Sequence, residues 1–597
     1  MNIIQKIGVG LFIIAIVIFT ATLGLDKYEL TEDSLIVDNQ YHKEEILAAA
    51  AQRGLEGKKI GSSFEYVATL KSLIKDAQKS LKEKAEVALP EGVKKWEYTL
   101  PDWKAKNYIF PTVKKSSTGP VSDNPFLFFM LTIGLGIIGG LLYILPLFNL
   151  IPGIKHNQIY HSSITRGLQL NVRVVLLSVS IIGVLIYGFY YMNKTLFWPL
   201  VSGLIALAII GLVLFIEKQS KKQPGRSASA DITGWIGLLT GVYLIGFYVL
   251  LYWKAEYITS WIIMVDPLSM SLSGNEASQW FLYGLLYTVI VFVMGIRMMT
   301  KYMHNRYQLI RTGSVMFFQT AFAFLLPEIL VRLNYPYYDF KNIWPLNYTF
   351  FFDWNINNLI NSGGLGIFMM VWGIALIVIA VPVITYFFGK RWYCSWVCGC
   401  GGLAETLGDP YRQLSDKSLT AWKFERWIIH GVLVFAVLMT ALVLYTYFTG
   451  QRQILFMNSD TVRTWYGFLI GAGFSGVVGT GFYPVMGNRM WCRYGCPLAA
   501  YLGLVQKFKS RFRITTNGSQ CISCGNCSTY CEMGIDVRYY AQRGQDIVRS
   551  SCVGCGVCAA VCPRGVLRLE NSAMDVNVRA DELRVLHFDD SKVELMH

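Results

Sequence analysis

Ten stretches of this chain are apolar and long enough to cross a lipid bilayer as helices, which constrains the fold more than any other feature. Crossing the ~30 Å hydrocarbon layer takes about 20 mostly apolar residues, and the backbone must bond within itself there. The stretches lie near 4–24, 125–150, 170–192, 195–216, 232–253, 279–300, 313–333, 363–388, 427–449 and 463–486, the last rich in glycine. With 53% hydrophobic and 16% charged residues in 597, the chain is too apolar for an ordinary soluble protein. We expect a mainly α, polytopic helical membrane protein of about ten transmembrane helices. The first stretch has signal-peptide length, but no small-residue cleavage site follows in "IVIFTATLGLDKYEL", so 1–25 reads as a retained anchor.

Cationic loops near helix ends stay cytoplasmic. Alternate loops carry such residues: Lys155 and Arg166; Lys218, Lys221, Lys222 and Arg226; Arg297, Lys301, Arg306 and Arg311; then Lys390, Arg391, Arg412, Lys417, Lys423 and Arg426. The loops at 254–278 and 334–362 are nearly free of them. Both termini are therefore expected in the cytoplasm. This asymmetry largely accounts for the net charge of +15, with no nucleic-acid partner required.

Residues 26–124 should form a small extracytoplasmic domain. "KEEILAAAAQRGLEGKKI" and "YVATLKSLIKDAQKSLKEKAEVAL" place apolar residues at helical spacing between charged faces, as expected of a mostly helical unit packed on the membrane or on a partner. It has no cysteine, hence no disulfide and no covalent haem.

All 13 cysteines follow Tyr393, a confinement that points to metal rather than to packing. Residues 507–570 hold two C-x-x-C-x-x-C-x-x-x-C runs, Cys521, Cys524, Cys527 and Cys531, then Cys552, Cys555, Cys558 and Cys562 followed by Pro563. In such tandem runs three thiolates bind one 4Fe-4S cubane and the fourth crosses to the other. Cluster one is assigned Cys521, Cys524, Cys527 and Cys562, and cluster two Cys552, Cys555, Cys558 and Cys531. The unit reads as a bacterial-type two-cluster ferredoxin domain, since zinc sites favour separated C-x-x-C pairs. A tail of 571–597 follows.

Two further pairs stand just past apolar stretches within 363–506: Cys394 and Cys398 in "RWYCSWVCGCGG", and Cys492 and Cys496 in "MWCRYGCPLAAYLG". If each segment continues as helix, thiols four residues apart face one way. Two pairs could then supply four ligands to one centre, with Cys400 as a substitute or free thiol. Packing would give the same spacing, and soft thiolates accept iron–sulfur, zinc or copper(I) alike. Position beside the ferredoxin-like unit argues for iron–sulfur.

Together these motifs resemble the NosR/NapH/CcoG group of membrane polyferredoxins, over roughly residues 365–565. The resemblance implies a bacterial inner-membrane protein that passes electrons between a cytoplasmic or quinone donor and a redox partner. Such a protein would work with other membrane redox subunits in a respiratory complex, or assist assembly of a respiratory metalloenzyme. "CRYGCP" fits the group's pattern. "CSWVCGCGG" departs from it, with Gly399 where proline is expected and Cys400 as an extra thiol. No Ser/Thr-Gly-Ala-Thr flavin signature occurs in 26–123, so the flavin of NosR-like members is not carried over.

Lesser candidates are His430 inside a span and His304 in a basic loop, although a bis-histidine haem needs two facing imidazoles. Glu328 and Arg332 stand one turn apart near a span end, where ionisable groups suggest a proton path or a packing ion pair. The aromatic run "YPYYDFKNIWPLNYTFFFDW" fits an interfacial belt. The loop asymmetry yields a direct test. A reporter fused after His597 should read cytoplasmic and one inserted near Gly92 extracytoplasmic, and the opposite result at either point refutes the count of spans.

Overall fold

The computed structural model describes residues 2–87, 94–149, 232–454, 457–517 and 520–571, together with a pair of strands at Val585–Asp589 and Lys592–Met596. In chain order its main helices are α1 (Ile3–Gly24), α2 (Gln40–Gln52), α3 (Ser63–Val87), α4 (Asp102–Lys115) and α5 (Pro125–Phe148). Then come α6 (Ile232–Trp253), α7 (Gln279–Lys301), α8 (Arg306–Arg332), α9 (Gly363–Phe388) and α10 (Gly399–Thr406). Last are α11 (Leu419–Thr449), α12 (Ser459–Tyr466, continuing as the wide-turned Gly467–Val478) and α13 (Pro497–Lys509).

Six of these, α1, α5, α7, α8, α9 and α11, are long and apolar enough to cross a membrane. In α6 the apolar part is the shorter Leu239–Trp253, and the glycines of α12 dilute its hydropathy. The expected spans at 170–192 and 195–216 lie outside the described residues. Helix starts carry side-chain caps that satisfy the first free N–H groups. Asn2 and Gln5 form a capping box on α1, Ser278 caps α7, Asn305 caps α8 and Ser418 caps α11.

Between α1 and α5 the chain folds as helices α2, α3 and α4 against a small antiparallel sheet, in which β1 (Lys27–Glu29) lies between β2 (Lys59–Ile60) and β3 (Ser117–Thr118). Ile46, Val67, Leu70, Leu73 and Val113 are fully buried in its core. This unit docks on the 254–278 loop of the same chain. Lys114 Nζ lies 2.8 Å from Asp266 and 3.1 Å from Glu276, and Lys71 Nζ lies 2.8 Å from Glu256. The unit and that loop thus share one end of the helix bundle.

Two sequence expectations change. Glu328 and Arg332 form no ion pair with each other; Arg332 donates instead to the Ser271 carbonyl at 2.9 Å. The aromatic run is only partly a belt. Tyr335, Tyr337 and Trp354 are exposed, but Tyr338 and Phe350 are buried against α9 and Phe352 against α11, with Tyr338 donating to the Met369 carbonyl at 2.8 Å. Aromatic rings this large also fill the gap between two helices.

Asp26 joins α1 to the small domain. Its carboxylate is buried and accepts from Val121 N–H at 2.9 Å, Ser117 Oγ at 3.1 Å and Ser122 Oγ at 2.9 Å. Replacement by alanine leaves two buried donors, Val121 N–H and Ser117 Oγ, unmatched, at about 1–3 kcal/mol each before relaxation, while the half-buried Ser122 Oγ can turn to Ser117 Oγ at 2.8 Å. We expect Asp26→Ala to lower the detergent melting temperature and to open the 26–124 segment to limited proteolysis, whereas the exposed Glu44→Ala should do neither.

Candidate metal centres

The two cysteine runs of the tail repeat in three dimensions at an offset of 31 residues. Cys531 N–H donates to Ser528 O at 3.2 Å as Cys562 N–H does to Ala559 O at 3.3 Å, and Gly534 N–H to Cys531 O at 3.3 Å as Gly565 N–H to Cys562 O at 3.2 Å. Gly525 (φ 79°) and Gly556 (φ 74°) take the left-handed conformation after the second cysteine of each run, turning the third back toward the first two. Strand β4 (Arg513–Thr516) pairs antiparallel with β5 (Leu567–Glu570) and closes the unit.

The thiols fall into two crossed groups. Cys527 is within electrostatic reach of Cys524, Cys562 and Cys521. Cys558 stands among Cys555, Cys552 and Cys531, and more remotely Cys527. The groups differ in degree: in the second, Cys552 and Cys558 are buried in a core shared with the membrane-side loops and Cys531 and Cys555 are partly exposed, whereas in the first only Cys527 is buried in that core and Cys521, Cys524 and Cys562 are partly exposed.

Cys394, Cys398, Cys492 and Cys496 are all buried in that same core, with Cys400 against it. The route by which they meet is not the expected one. Neither pair lies on a continuous helix. Cys394 ends a single turn (Arg391–Cys394) and Cys492 lies in a wide turn (Trp491–Gly495), while Cys398 and Cys496 are extended and cap α10 and α13. The two loops are copies of each other at an offset of 98 residues. Cys398 N–H donates to Tyr393 O at 2.8 Å as Cys496 N–H does to Trp491 O at 2.9 Å. Cys496 Sγ accepts from Ala499 N–H, the third of its helix, at 3.4 Å, whereas Cys398 caps its helix with no such side-chain bond. The departure at Gly399 also has a physical reason. Gly399 and Pro497 occupy the same first helical position, but a Cβ on Gly399 would lie 2.5 Å from Gln319 Oε1, so a larger residue there requires the Gln319 side chain of α8 to move.

Between these loops and the tail lies a cluster of buried ions. Glu532, directly after Cys531, pairs with Arg412 at 3.0 Å and with Arg489 at 3.0 Å. Glu405 pairs with Arg489 and Arg311, and Asp409 with Lys301 at 2.6 Å and Arg412 at 3.3 Å. Four cations face three carboxylates. Glu405, Glu532 and Cys555 are close enough together to share an ion, but the arginines already occupy both carboxylates, so the arrangement is an ion-pair cluster. Burial raises the Glu532 carboxyl, yet Arg412, Arg489 and Arg311 outweigh it and hold the group at about 2. Sequence reading took Lys301, Arg311 and Arg412 only as loop cations and missed Glu405, Asp409, Arg489 and Glu532, whose one signal was charge set among cysteines and apolar neighbours.

The donor set fits a metal. Burial pushes the Cys394, Cys527 and Cys555 thiols to about 12 and Cys552 to about 11, while Cys398 moves down because Cys400 donates to it. Thiols held protonated by burial are poor nucleophiles, but they become ligands once a metal supplies the positive charge that the site lacks. Trp491 Nε1, next to Cys492, and Arg489 Nε are buried donors without an acceptor among the described residues. Cluster sulfurs accept such bonds.

Residues 370–418 and 466–515, one around each membrane-side pair, match a 4Fe-4S binding domain, and 520–567 match a 4Fe-4S dicluster domain. The chain is 27% identical over 183 residues to YccM of Escherichia coli K12, assigned by its name to electron transport, covering 27% of this chain and 46% of that protein. It is 28% identical over 150 residues to the methylamine utilization ferredoxin-type protein MauN of Paracoccus denitrificans, covering 24% and 48%. For MauN of Methylorubrum extorquens the figures are 24% over 165 residues, covering 27% and 54%. The chain therefore spans about half the length of these relatives. No solved structure matches.

Removing one partner of a buried ion pair costs about 3–5 kcal/mol, because the other charge is left uncompensated. Arg412→Met should accordingly destabilise the seating of the tail and speed its proteolytic release in detergent. Arg412→Met with Glu532→Gln should recover part of the loss. Equal release rates in the parent and Arg412→Met would remove the ion cluster from the docking argument.

Proposed function

We propose that this chain is a membrane-bound iron–sulfur electron-transfer protein of the NosR/NapH/CcoG type, with about ten spans, cytoplasmic termini and a place in a larger respiratory complex. Cluster one is held by Cys521, Cys524, Cys527 and Cys562, and cluster two by Cys552, Cys555, Cys558 and Cys531. A further iron–sulfur centre is held at the bilayer's edge by Cys394, Cys398, Cys492 and Cys496, with Cys400 beside it. The observation that carries this reading is the single buried core containing both Cys552 and Cys558 of the tail and all four membrane-side cysteines. Short separation through protein is what electron tunnelling needs, and this core supplies it. Electrons then pass between a solvent-facing cluster and a quinone or redox subunit in the membrane. The names of the relatives, electron transport and ferredoxin-type, agree with this reading.

Iron and acid-labile sulfide per chain, with EPR of the reduced protein, test it. Cys524→Ser should remove one tail signal and Cys555→Ser the other. Cys394→Ser with Cys492→Ser should remove iron while both tail signals persist. Zinc in place of iron after anaerobic purification would overturn the proposal, and unchanged iron in the double variant would remove the third centre from it.

A further inference from the structure

Lys390 is a lysine with 1% of its surface exposed, and among the described residues no carboxylate pairs with it. A buried ammonium without a counter-ion is costly, by several kcal/mol. The Cys394 and Cys552 thiols are both within its electrostatic reach. The backbone at the same residue is bonded toward both. Cys394 N–H donates to the Lys390 carbonyl at 3.0 Å. Lys390 N–H donates to Gln506 Oε1 at 2.7 Å, and Gln506 Nε2 donates to the Cys552 carbonyl at 2.9 Å. Gln506 is itself buried, and its second donation, to Arg549 O at 2.7 Å, locks its orientation. Its amide therefore connects the loop of Cys394 to the loop of Cys552 through three hydrogen bonds. The neighbouring Ser395 adds a parallel strut, its Oγ donating to Val553 O at 2.8 Å.

We propose that Gln506 and Lys390 form the junction through which electrons cross between the Cys552 set and the Cys394 set, Gln506 as the hydrogen-bonded path and Lys390 as counter-charge to both. The inference rests on the reading above that both sets hold iron. One electron leaves one set and enters the other; no bond is made or broken and no proton moves. A cubane with four thiolates is anionic and becomes more so on reduction, so a buried cation beside it stabilises the reduced form and raises its potential. Within electrostatic reach of two such sets, one ammonium raises the potentials of both. Both are positioning residues, since neither ligates.

The test uses the full chain in detergent, with EPR-monitored redox titration and freeze-quench kinetics of equilibration between the centres. Lys390→Met should lower the potentials of the two flanking centres and leave that of the Cys521 set in place, while Lys390→Arg restores them. Gln506→Leu should slow equilibration between the flanking centres several-fold at nearly unchanged potentials. Unmoved potentials in Lys390→Met, or an equal fall in all three centres, overturns the role of Lys390, and an unchanged rate in Gln506→Leu overturns the path. Loss of iron in Lys390→Met but not in Lys390→Arg supports a requirement for charge; loss in both overturns it. Absence of iron at the Cys394 set in the unaltered chain would remove the third centre from the proposed function, and this inference with it. Iron present with unmoved potentials and rates would overturn this inference alone.

Discussion

Glu532 has no exposed surface, follows a tail cysteine directly, and is held between two arginines that come from loops at the ends of the membrane helices. Taking a carboxylate and two guanidinium groups out of water costs several kcal/mol per ion, and only close, well-aligned partners offset that cost. The tail therefore has one favourable seating on the helix bundle. That seating aligns the hydrogen bonds that surround the second cysteine run, from Ser395 to Val553 O at 2.8 Å, Tyr307 to Gly554 O at 2.9 Å and Gln308 to Cys555 O at 2.8 Å. Each ends on a carbonyl within or beside the segment that carries Cys552 and Cys555.

The two internal repeats serve different ends. In the tail, near-identical local folds are placed in unlike surroundings, so two thiols of one group and one of the other are buried in the membrane-side core. In the membrane-side loops, two copies of one turn face each other and close a single group. The three groups differ in burial: mostly partly exposed in the first tail group, half buried in the second, and buried for all four membrane-side thiols. Each step inward lowers the dielectric and raises the value of every fixed charge nearby.

How much of this was legible in the sequence follows from what periodicity and spacing can encode. The tail quartets were legible as motifs because four cysteines lie within eleven residues in each run, whereas the assigned crossing came from the tandem-run pattern and not from local geometry. That the membrane-side pairs belong together was readable as well. How they converge was not, because the i,i+4 rule presumes a continuous helix, whereas Cys398 and Cys496 stand at helix starts. Nor could sequence reveal that Gly399 yields to Gln319, a contact between residues 80 positions apart. Lys390, Gln506 and the ion cluster escaped for the same reason: each is an ordinary polar residue until tertiary packing removes the water around it.

That last point bears on the charge count that first suggested an orientation. Lys390, Arg412 and Arg311 were counted among cationic loop residues, yet all three are buried, Arg412 and Arg311 against carboxylates of the same junction and Lys390 within electrostatic reach of Cys394 and Cys552. Lys301 is likewise paired with Asp409. These cations cannot be read as free surface charge held back by the membrane potential or by anionic lipid. The asymmetry has to rest on the others, Arg297, Arg306, Arg391, Lys417, Lys423 and Arg426 in the same two loops. The two demands coincide spatially because an anionic cofactor and the basic side of a helix bundle each draw Lys and Arg to the same helix ends. A thiolate-rich site at the edge of a bilayer is thus electrostatically easiest to build where loops are already cationic, and there the surplus of four cations over three carboxylates leaves room for the negative charge that metal-bound thiolates bring.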